Sequence, residues 1–140
     1  MKPGDTFFDR TAGIPWHLWV VVAALDDGSI LAVNFSHHRE GCDETCIVEP
    51  GAHPSIPDKS FAFYRRAQLL NADYIERSIA DRLWGFADPL PDALLASVQR
   101  GAVASPFTAR GFKDLVRKAT GIEQTVVAIR RTRPRKPGPA

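Results

Sequence analysis

Two cysteines among 140 residues, Cys42 and Cys46, are too few for a disulfide framework, and in a reducing compartment they are free thiols or ligands. No apolar run reaches the roughly 18 residues of a membrane span. The longest candidate, Trp16 to Leu25, is broken by His17 and ends at Asp26-Asp27. The N-terminus reads Met1-Lys2-Pro3-Gly4-Asp5 and has no apolar signal region, so a cytoplasmic protein without membrane partners is expected. There is no internal repeat and no strong catalytic signature.

What is present suits one globular domain with a single core over residues 1–129, since 44% of the chain is hydrophobic and 24% charged. The net charge of +2 conceals an asymmetry. Residues 130–140 carry Arg130, Arg131, Arg133, Arg135 and Lys136 with no acid, leaving 13 basic against 16 acidic residues in the body. This proline-containing segment is expected to be a disordered tail that contacts phosphate backbones without reading sequence, or that merely solubilises. It lacks an aromatic residue for base stacking.

The periodicity predicts strands first and helices later. Thr6 to Phe8 reads as a short strand, and residues 9–15, with Gly13 and Pro15, as a loop. Trp16 to Ala23 is apolar on both parities, the pattern of a strand buried on two faces. Asp26-Asp27-Gly28 is a hairpin turn. Ser29 to Ser36 returns with Leu31, Val33 and Phe35 on one face and Asn34 and Ser36 on the other. After a polar loop come a strand at residues 45–48 and a proline-rich loop at residues 49–59. Ser60 to Arg66 then alternates, with Ser60, Tyr64 and Arg66 sharing a face opposite Phe61 and Phe63.

Helices are predicted at residues 71–80, capped by Asn71, at residues 91–103, and at residues 108–119, capped by Thr108 and ended by Gly121. A strand is possible at residues 83–86, and residues 122–129 read as strand or extended chain. The pattern is α+β: a small bent β-barrel with C-terminal helices.

Lys2-Pro3-Gly4-Asp5, the buried strand from Trp16 and the strand ending Asn34-Phe35-Ser36 resemble the MazF/PemK (CcdB-like) toxin family over residues 2–70. The resemblance implies an SH3-like barrel and metal-independent endoribonuclease cleavage of single-stranded RNA. It also implies an antitoxin partner, often a homodimer, and no cofactor. Ser36 falls at the family's Thr/Ser position, whereas Pro15-Trp16-His17 stands where the family carries Arg-Pro.

Cleavage of this kind needs a group to deprotonate the 2′-hydroxyl, one to protonate the leaving oxygen, and donors on the phosphate. Histidine suits the proton transfers. His53, in a loop stiffened by Pro54 and Pro57, is the first candidate and His17 the second. Arg66 is expected to hold the phosphate, with Ser36, Ser60 and Tyr64 as donors. The plain alternative is that His53 bonds to backbone, that Ser60 and Tyr64 satisfy local hydrogen bonds and that Arg66 is solvated. A zinc site at His38, Cys42, Cys46 and His53 has the right ligand types, but Cys46 lies in an apolar strand and the spacing is loose. The rival function is a non-catalytic nucleic-acid or protein-binding module, favoured by the missing arginine.

Overall fold

A computed structural model describes residues 1–9 and 17–122. Of the predicted loop at residues 9–15, Asp9 instead ends the first strand, and residues 10–15, with Trp16, most of the segment 122–129 and the basic tail, lie outside the described residues.

Among the described residues, seven strands and three α-helices follow one another as β1 (Thr6–Asp9), β2 (His17–Ala24), β3 (Ser29–His37), β4 (Ile47–Val48), β5 (Ser60–Ala62), β6 (Gln68–Asn71), α1 (Ala72–Ala80), β7 (Gly85–Ala87), α2 (Asp92–Ala104) and α3 (Arg110–Thr120). All pairings among these strands are antiparallel, in the order β4-β5-β3-β2-β1-β7, with β6 on β3, and among the described residues no pairing joins β4 to β7. The architecture is α+β. No described helix is long and apolar enough to cross a membrane.

The strand predicted to be buried on two sides, now β2, is the sheet's centre. Leu18, Val20 and Val22 point into a core shared with Leu31, Val33 and Phe35 of β3 and with Val98, Ala102 and Val116 of α2 and α3. Trp19 and Val21 point the other way, to Phe7, Ile30, Ala32 and Ile75 of α1. The sheet is thus a layer between α1 and the α2–α3 pair, and each fully buried valine of β2 stabilises it by roughly 1.5–3 kcal/mol.

The β2–β3 register shifts between Val21 and Ala23. At this irregularity the side chain of Gln99 donates to the Val22 carbonyl at 3.1 Å, tying α2 to the strand. The hairpin before β3 forms as predicted, with Gly28 at φ +87° and the Ser29 N–H bonded to Asp27 Oδ1 at 2.9 Å.

Two predicted elements take another form. Ser60 to Arg66 is not one strand: pairing stops at Ala62 and Tyr64–Arg66 is a short 3₁₀ helix. Because of this turn β3 has two partners along one edge, β5 at Phe35–His37 and β6 at Ser29–Ala32. The cause is tertiary. Tyr64 is drawn into the core, where its hydroxyl donates to the Val98 carbonyl at 2.7 Å. Thr108 does not cap α3, which begins after Ala109 with no side-chain cap. Asn71 does cap α1, accepting from the Tyr74 N–H at 3.0 Å, and Gly121 at φ +74° ends α3.

Candidate nucleic-acid interface

On the α1 side of the sheet, the strand registers assemble two rows of side chains. Phe7 faces Trp19, Trp19 faces Asn34, and the Phe63 N–H donates to the Asn34 carbonyl at 2.8 Å. Two residues further along each strand, on the same face, Asp9 faces His17 and Ser36 faces Phe61. Continuing the Trp19–Asn34 register by two residues sets His17 opposite Ser36. Helix α1 covers only the Phe7–Trp19 end of this face.

The first row holds an uncompensated cost. Asn34 is 1% exposed and Trp19 7%, yet both amide atoms of Asn34 and the indole Nε1 have no hydrogen-bond partner. A buried polar group left unpaired costs about 1–3 kcal/mol, and such groups call for a reason.

Beside the second row lies a cluster of arginine and phenylalanine. Arg39, in the loop after β3, donates to Ser36 Oγ at 3.2 Å, and its guanidinium carbon lies 5.4 Å from the Phe61 ring centre and 5.7 Å from that of Phe63. Phe61 and Phe63 touch, with centres 5.0 Å apart. Arg66 lies 5.0 Å from the Phe63 ring on its own account, and Arg65 stacks at 4.4 Å on Phe107, in the α2–α3 connection. These are cation–π distances.

A cleft of about 230 Å³ opens between these groups, lined by Arg39, Phe61, Phe63, Arg65 and Phe107 with the loop residues 40–43. Two loops distant in sequence are held together to form it. Asp43 Oδ1 accepts from the Thr45 N–H at 2.9 Å, fixing its own loop, while Oδ2 accepts from Ser105 Oγ at 2.6 Å. Ser105 Oγ in turn accepts from the Phe107 N–H at 3.1 Å, which fixes the backbone that carries the stacking ring.

The six residues named from sequence as a catalytic set are dispersed. His17 and Ser36 are both half-buried, at the neighbouring ends of β2 and β3. His53 is buried, and both its ring nitrogens are engaged: Nε2 with the Asp88 carbonyl at 2.5 Å, Nδ1 with the Ser55 N–H at 3.0 Å. Since Nδ1 accepts, Nε2 carries the proton and donates. Ser60 is buried and bonded to the Asp58 carbonyl at 2.9 Å. Tyr64 is buried at the α2 interface, and desolvation, then the neighbouring Cys46, raises its pKa well above the ordinary value. Only Arg66 of the Ser60–Tyr64–Arg66 group is exposed, so the predicted common face does not form.

The four candidate zinc ligands are engaged elsewhere or apart. His38 Nε2 meets Glu44 at 2.8 Å, Cys46 is buried beside Tyr64 with its pKa raised by burial, and His53 is bonded as above. Among the described residues no group of three or more histidine, cysteine or acidic side chains is arranged to hold a metal ion. The expected phosphate contacts of Arg130, Arg131, Arg133, Arg135 and Lys136 lie outside the described residues.

Sequence reasoning passed over Arg39, Arg65, Phe61, Phe63, Phe107, Trp19 and Asn34 as site residues. One signal was available: Phe61-Ala62-Phe63-Tyr64-Arg65-Arg66 interleaves aromatic and basic residues, a composition suited to nucleic acid. Nothing local points to Arg39 or Phe107, which join the site through the fold. Comparison of the chain with protein-family models, with curated proteins and with solved structures finds no match.

Proposed function

We propose that the protein binds single-stranded RNA on the surface formed by Arg39, Phe61, Phe63, Arg65, Arg66 and Phe107. The observation that carries this reading is the pairing of Arg39 and Arg65 with Phe61, Phe63 and Phe107 around one cleft, with Arg66 on the Phe63 ring beside it. Arginine supplies charge for the phosphates, while exposed Phe107 and half-buried Phe63, backed by the buried Phe61, supply faces on which unpaired bases stack whatever their identity. The basic tail adds a salt-dependent attraction for the strand. Fluorescence anisotropy with a labelled mixed-sequence RNA decamer tests it. Arg39→Ala and Arg65→Ala each weaken binding and each flatten its dependence on salt, whereas wild-type affinity in both variants rejects the surface.

A second reading, toxin-like cleavage of single-stranded RNA without metal, is favoured by one arrangement: Arg39 bonded to Ser36, which lies two residues beyond the Trp19–Asn34 pair, as His17 does on β2. In that reading His17 takes the 2′-hydroxyl proton and Arg39 serves the phosphate in place of Arg66. The MazF/PemK likeness, an SH3-like curvature of the bent sheet, an antitoxin or homodimer partner and a cytoplasmic location belong to the same reading. Incubation with RNA in EDTA decides it: cleavage by the wild type and by His53→Ala but not by His17→Ala supports it, and intact RNA with a folded wild type removes it.

A further inference from the structure

Resting on the single-stranded RNA reading, we infer that the cleft between Phe63 and Phe107 selects guanine. Its volume of about 230 Å³ is below the roughly 300–1,000 Å³ that holds a drug-sized ligand, so it admits about one base rather than a folded segment. Its walls offer stacking faces and its arginines offer charge to the attached phosphate.

Two carboxylates line the same cleft, and they differ. Asp43 is consumed by Thr45 and Ser105. Glu40 makes no hydrogen bond or ion pair among the described residues. A free carboxylate in a phosphate-attracting site works against binding unless the ligand brings donors to it.

An ionised carboxylate only accepts, through two oxygens side by side. Of the four RNA bases guanine alone presents two adjacent N–H donors, at N1 and N2 of its Watson–Crick edge, which match those oxygens in a charge-assisted pair. Adenine and cytosine offer a single amino group beside a ring acceptor. Uracil offers one imino N–H between two carbonyl oxygens that the carboxylate repels.

The test uses the full chain and four labelled oligouridine decamers that differ only in a central guanine, adenine, cytosine or uracil. The wild type binds the guanine decamer about tenfold or more tightly than the others, the discrimination of one good bidentate pair. Glu40→Gln, which keeps the shape but puts a donor in place of one acceptor, binds all four alike. Equal wild-type affinity for the four decamers overturns the selection while leaving RNA binding intact, and a guanine preference that survives Glu40→Gln overturns the role of Glu40. Binding to none of them overturns the RNA reading itself. Guanosine monophosphate as competitor separates the sources: weak competition assigns the site to the strand, and competition equal to the guanine decamer assigns it to a free nucleotide.

Discussion

Trp19 and Asn34 stand opposite each other on β2 and β3, and between them they bury three polar atoms without a partner. The pair lies one row from the His17–Ser36 opposition and next to Phe63, so the cost is paid at the edge of the proposed RNA surface. Asn34→Leu, close in shape and without polar atoms, is expected to raise stability by about 1–3 kcal/mol. Urea denaturation measures it. A lower midpoint means that the amide is satisfied in solution.

Gly101 packs against Tyr64 so closely that a Cβ there would overlap the phenol hydroxyl, lie 2.9 Å from Cζ and sit 3.1 Å from Cβ of Cys46. Gly101→Ala therefore forces either α2 or the tyrosine to move, at about 1–3 kcal/mol. Because the hydroxyl is the nearest atom, the cost falls in a Tyr64→Phe background, and a double-mutant cycle on urea midpoints gives the coupling. Additive costs would mean that the helix yields instead of the ring.

Burial raises the pKa of both Cys46 and Tyr64 in the folded chain, above ordinary values of 9.0 and 10.0. Each group keeps its proton in the native state at a pH where the unfolded chain has lost it, so the unfolded state gains as pH rises. Stability is complete below the unfolded cysteine value, declines from about pH 9 as Cys46 would ionise, and declines more steeply past pH 10. Urea midpoints between pH 7 and 10.5 follow this, and Tyr64→Phe flattens the upper part of the curve. An unchanged wild-type midpoint across that range contradicts the burial of these two protons.

How far the sequence discloses this molecule depends on whether the cause of each feature is local. Apolar residues on both parities of residues 16–23 require cover on two faces, and β2 has it; Asp26-Asp27-Gly28 carries its own turn chemistry, and Asn71 its own cap. The alternation of Ser60 to Arg66 is a local pattern too, yet it is overruled because the niche for Tyr64 is built by Val98 and Gly101, more than thirty positions away. Thr108 has the chemistry of a cap, but the helix starts beyond its reach. The site divides in the same way. Parity put Ser36 on the polar face of its strand, whereas the meeting of Arg39, Phe63 and Phe107 depends on a loop pinned to the α2–α3 junction through Asp43 and Ser105.

The central claim is that unpaired bases stack on Phe63 and Phe107 while neighbouring arginines hold the phosphates. The most direct measurement compares a single-stranded RNA decamer with its duplex, using the wild type and the double variant Phe63→Ala, Phe107→Ala over a range of salt. The wild type is expected to prefer the single strand. The variant is expected to lose about 1–3 kcal/mol for each stacked base while its salt slope, set by charge, stays the same. Equal affinity of wild type and variant for the single strand, or a wild-type preference for the duplex, would contradict it.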